Sequence, residues 1–147
     1  MPTLFDPTAR AALLDRVDRL TPDARRVWGK MSLGQMLAHT AGQLRLGLGE
    51  MPVKRMRTPY GFPVLRQLAI YVVPWPKGAP SAPELLAVPP AEVEAGKAAV
   101  RECAERFGAL GPDHPWPLHP AFGRLSRRAW GVLSWRHLDH HLRQFGV

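Results

Sequence analysis

The residues best suited to chemistry are histidines near the end of the chain, in the run HLDHH at residues 137–141. On a helix, His137 and His141 stand four apart on one face and can chelate the same ion, while His140 points substantially elsewhere. Trp130, Ser134, His137, His141 and Phe145 trace one stripe, which places the pair on a buried or cleft-facing line. Neutral imidazole is a good ligand for zinc, nickel and iron. Two histidines leave a site unfilled, so a third donor must come from another element. His39 is the best candidate, because it sits within an amphipathic segment between Gln35 and Gln43, one turn to either side. His114 and His119, in a Pro-rich stretch, are the alternatives. Three protein nitrogens would leave a position open for water or substrate, as catalytic sites do. Gln35 and Gln43 are then candidates to contact a ligand or to orient the histidines.

Other chemistries find little support. No HExxH, Walker loop, GxGxxG, CxxC or GxSxG pattern occurs. No paired-acid arrangement suits glycoside hydrolysis. Cys103 has no base nearby in sequence and reads as a packing residue, and Ser32 and Ser126 read as helix caps. A single cysteine rules out an intrachain disulfide, and a reducing cytoplasm is expected. MPTLFDPTAR has neither a basic leader nor an apolar run after it, so no signal peptide is expected. No apolar stretch is long enough to span a bilayer.

The elements that must position the histidines follow from caps and periodicity. Asp6 and Pro7 open a first helix over residues 7–20, with Ala11, Leu14, Val17 and Leu20 on its face. Ser32 with Gln35 makes a capping box ahead of LGQMLAHTAGQLRLGL, which Gly47, Gly49 and Pro52 bring to an end. Residues 62–73 suit a strand by β-branched content or a short helix by the spacing of Phe62, Leu65, Leu68/Ala69 and Val72, and a short helix inside a long crossover is the expectation. WPKGAPSAPELLAVPP predicts loop, since proline removes donors and blocks helix growth. AEVEAGKAAVRECAERFGAL predicts a long helix whose acidic start and basic end suit its dipole. The last helix starts after Ser126, with Gly131 costing some propensity. The expectation is one all-α domain over residues 1–147, a four-helix bundle with long crossover connections.

The 147 residues carry a net charge of +8, with 46% apolar and 22% charged residues, which argues against disorder. Seven Lys/Arg stand against Glu50 alone over residues 30–77, and residues 78–113 are acidic by three. The arginines are scattered and no recognition-helix pattern is present, so nucleic acid is not an expected partner.

The segments MSLGQMLAHTAGQLRLGLG (31–49), HPAFGRLSRRAWGVLSWR (119–136) and HLDHHLRQFG (137–146) resemble the DinB/YfiT-like superfamily, in a branch of uncharacterised single-domain proteins. The resemblance runs from Trp28-Gly29 to Gly146 and is least specific over residues 52–90. It implies a four-helix bundle, often a homodimer, with a divalent metal, zinc or nickel, on His39, His137 and His141. Characterised relatives include transferases and isomerases that use low-molecular-weight thiols. The resemblance therefore implies a thiol-dependent transferase acting on an electrophilic small molecule. A metal-dependent hydrolase and a non-catalytic, metal-stabilised binding protein are the alternatives.

Overall fold

The computed structural model describes residues 1–78 and 81–147; Ala79 and Pro80, within the stretch expected as loop, lie outside the described residues. Among the described residues, six α-helices appear in chain order: α1 (Pro7–Asp18), α2 (Leu33–Leu48), α3 (Pro63–Tyr71), α4 (Pro83–Leu86), α5 (Val93–Gly108) and α6 (Arg127–Gln144). Four are long and two are short, so the strict four-helix description is corrected to a six-helix bundle. The extra element is α4, a single turn where loop was expected. Pro83 sits at its start, where a missing N–H costs nothing, and Leu85 is buried beneath it.

Local chemistry sets the helix starts. The Asp6 carboxylate accepts the Thr8 and Ala9 N–H groups ahead of α1. Ser32 and Gln35 close a reciprocal capping box on α2, and Gly49 ends that helix at φ +82°, which favours glycine. Glu92 caps α5 through the Ala95 N–H, and Ser126 caps α6 through the Ala129 N–H. The first helix ends at Asp18 rather than residue 20, although Leu20 is still buried. Ala11, expected inward, is exposed, and Leu13 joins Leu14 and Val17 in the core instead. The reason is that α1 packs on both α5 and α6, which widens its buried face.

Contacts along the helices give their directions. His39 meets His137 and Gln43 meets Ser134, so α2 and α6 are antiparallel. A Cβ on Gly96 would meet Leu37, and one on Gly47 would meet Phe107, so α2 and α5 run parallel. A parallel pair consecutive among the long helices needs a connection that travels back along the bundle, and residues 50–92 supply it. Arg10 with Glu105, and Lys97 with the Asp18 and Leu20 carbonyls, make α1 antiparallel to α5. The core between the layers is built from Leu13, Leu37, Leu44, Phe107, Trp130 and Leu133, among others. No described helix is long and apolar enough to cross a membrane.

Candidate metal centre

The antiparallel register of α2 and α6 brings His39 opposite His137, and the next turn of α6 adds His141. One ring nitrogen from each lies within 4.8 Å of the other two. His39 Nε2 and His137 Nε2 are 3.0 Å apart, and the His141 ring centroid is 4.9 Å from that of His39 and 4.7 Å from that of His137. His39 and His141 are buried, and His137 is half-buried.

Enclosure keeps these rings neutral. Burial lowers the pKa of His39, against the opposing pull of the Leu85 carbonyl. Burial, then the neighbouring His141 and His39, holds His137 well below the ordinary histidine range. His141 is pushed down to about 3, mainly by burial and then by His39. No carboxylate joins the cluster among the described residues. Two nitrogen lone pairs 3.0 Å apart repel unless a proton or a cation lies between them. A set of three neutral imidazoles facing one point therefore fits a borderline divalent ion such as zinc or nickel better than a hard, oxygen-seeking one.

One outer contact orients the set. Gln144 Oε1 lies 2.9 Å from His141 Nδ1 and accepts its N–H, which leaves the Nε2 lone pair free. The Gln144 amide donates onward to the Trp28 carbonyl at 3.1 Å. Gly29, at φ +81°, leaves room for that amide, since a Cβ there would lie 2.3 Å from Gln144 Nε2. The Nδ1 atoms of His39 and His137 are buried without a hydrogen-bond partner.

The other candidates fall elsewhere. Gln43 is buried one turn from His39; its amide donates to Ser134 Oγ at 3.2 Å and its Oε1 has no partner. Gln35 is exposed, and its Oε1 closes the α2 cap. His114 Nε2 pairs with the Gly47 carbonyl at 3.0 Å. His119 Nδ1 accepts the Ala121 and Phe122 N–H groups. Neither joins the cluster. His140 sits between two indoles, its ring 4.6 Å from Trp28 and 6.0 Å from Trp75. Cys103 is buried in α5, where burial raises its thiol pKa.

The sequence does not single out Gln144, and it offers Trp28 and Trp75 only as cleft-lining alternatives to core or loop anchors. The i,i+3 spacing of His141 and Gln144 was the one signal that could have found the first. Trp75 is held 6.0 Å from the His137 ring by its own N–H bond to the Ala69 carbonyl.

Fold and site together define a DinB-like helical bundle carrying a histidine triad. Residues 5–146 match the family described as "Protein of unknown function (DUF1569)", and the chain belongs to that family. No curated protein and no solved structure matches it significantly.

Proposed function

We propose that His39, His137 and His141 bind one divalent ion, zinc or nickel, and that the protein is a thiol-dependent transferase acting on an electrophilic small molecule. The observation that carries the reading is the convergence of three neutral imidazole nitrogens with no carboxylate among them. When bound, such an ion would hold a thiol as its thiolate and lower its pKa at neutral pH.

The residues around the triad favour a thiol over water as nucleophile. Hydrolysis calls for a base beside the ion, and the nearest acid in sequence, Asp139, is taken by Arg16 at 2.6 Å and Arg143 at 3.0 Å. His140 is flanked by Trp28 and Trp75, and burial lowers its basicity. Gln43, with its unpartnered Oε1, is suited to receive a donor from a ligand held at the histidines. Trp28 and Trp75 would shield the reacting centre from bulk water.

The test has two stages. Tag-free protein should carry near-stoichiometric metal that the double substitution His137→Ala/His141→Ala abolishes. The cobalt-substituted protein should then show a thiolate charge-transfer band with a low-molecular-weight thiol such as glutathione. Metal without a band from any thiol tried would sink the transferase reading and leave the ion a structural role.

A further inference from the structure

The short helix α3 is built inside out. Its one buried residue is Ile70, and Arg66 and Ala69 are half-buried beside it. Its solvent side is apolar: Val64 is 71% exposed, and Leu65, Leu68 and Val72 are exposed with it. At about 100° per residue these four positions fall within roughly one third of the helix circumference. Phe62, at 69%, and Val73 extend the apolar surface past both ends. Six of the ten large exposed apolar side chains among the described residues thus lie between Phe62 and Val73. Scattered apolar residues are ordinary on a protein surface, but a contiguous set on one helix face marks a contact.

The helix is also fastened to the bundle by polar groups, which turns that face outward. Arg66 donates to the Phe122 and Arg124 carbonyls at 3.3 and 3.1 Å. Arg136 of α6 donates to the Ala69, Ile70 and Val73 carbonyls at 3.1, 2.6 and 2.6 Å, satisfying the C-terminal end of α3. Charge identifies what covers the apolar face. No Asp or Glu occurs between Glu50 and Glu84, whereas Lys54, Arg55, Arg57 and Lys77 flank α3 and are exposed. A second copy seated symmetrically here would bring cations toward cations, and the Glu84 carboxylate, which accepts the Lys54 N–H, offsets only part of that charge. A layer of anionic headgroups above apolar chains matches both features at once.

We propose that α3 is an interfacial helix that lays Val64, Leu65, Leu68 and Val72 on an anionic lipid surface, with Lys54, Arg55 and Arg57 meeting the headgroups. This docking needs no metal and is independent of the transferase reading.

Co-sedimentation of the full chain with vesicles tests it, using equimolar phosphatidylglycerol and phosphatidylcholine against phosphatidylcholine alone. Binding to the anionic vesicles should exceed binding to the neutral ones and weaken as salt is raised. Val64→Ser/Leu68→Ser/Val72→Ser should cut binding by about tenfold or more, and Lys54→Glu/Arg55→Glu/Arg57→Glu should do likewise. All six side chains are exposed, so the variants should keep the wild-type circular dichroism and unfolding midpoint. No preference for anionic vesicles would overturn the proposal. So would a dimer in sedimentation velocity that the serine variant dissociates while vesicle binding is absent; that result would make this face a self-association surface.

Discussion

Gln144 accepts the Nδ1–H of His141 at 2.9 Å while donating to the Trp28 carbonyl at 3.1 Å, so one amide sets both a ring tautomer and the loop before α2. Among the described residues, His141 is the member of the triad whose outer nitrogen has a side-chain partner, whereas His39 feels only the Leu85 carbonyl.

Replacing Gln144 by Leu should therefore cost more in metal affinity than in fold. The ring would lose its orienting acceptor, and outer partners of this kind are worth roughly 10–100-fold in affinity. Competition with a chromophoric chelator reads the loss directly. Unchanged affinity would show that the α6 backbone alone orients His141.

Metal removal should lower stability. An ion bound only by the folded state, at 100 times its dissociation constant, contributes about 2.7 kcal/mol. For a domain of this size that amounts to a fall in Tm of roughly 5–10 °C on chelation. The His137→Ala/His141→Ala protein should show no response to chelator. A wild-type Tm indifferent to both chelator and added zinc or nickel would count against any ion in the bundle.

Much of the bundle was legible because its signals are local. Asp6-Pro7, Ser32 with Gln35, Ser126 and Gly49 act within a few residues of the helix ends they mark, and each appears in that role. The His137/His141 pairing follows from helix geometry alone. What escaped depends on neighbours distant in sequence. Ala11 faces out and Leu13 in because α1 touches two helices. The spacing of Phe62, Leu65, Leu68 and Val72 correctly marked a helix, yet those side chains face solvent. Arg66 and Arg136 find carbonyl partners on segments far along the chain, and no local pattern encodes that.

Gly131 gives a sharper example, since propensity alone would favour alanine there by about 1 kcal/mol. A Cβ at this position would lie 2.5 Å from the Phe5 ring, which stacks on Phe107 at 5.4 Å and carries the Arg127 guanidinium 3.7 Å from its centroid. Overpacking of this kind costs roughly 1–3 kcal/mol. Gly131→Ala should thus be destabilising on balance, as read by urea unfolding. A stabilised variant would mean that the Leu4–Phe5 segment yields freely.

Asp139 joins α6 to α1 through Arg16, and Arg16 also donates to the Val147 carbonyl at 2.8 Å. Both members of the ion pair are mostly enclosed, with 19% and 13% side-chain exposure. Asp139→Ala would leave Arg16 half-buried without its carboxylate, at a cost of about 2 kcal/mol, between the values for exposed and fully buried pairs. Arg16→Met/Asp139→Leu should recover much of the loss. A single substitution without effect on the urea midpoint would show that water already replaces the pair.

His119 supplies a pH test outside the triad. Burial holds its pKa at about 3, against 6.5 for the free side chain, and its Nδ1 accepts the Ala121 and Phe122 N–H groups. Between those values the unfolded chain binds a proton that the folded chain refuses. Stability is therefore retained above pH 6.5 and lost as pH falls toward 3, by about 1.4 kcal/mol per pH unit for one such group. An asparagine carbonyl can accept the same turn N–H groups but does not titrate. His119→Asn should flatten the fall by that one-proton slope when metal-free wild type and variant are unfolded in urea between pH 6 and pH 4. His141, also at about 3, is common to both proteins and cancels in the difference. Parallel stability curves would mean that His119 takes up its proton without unfolding, and that the 119–123 turn opens to water in acid.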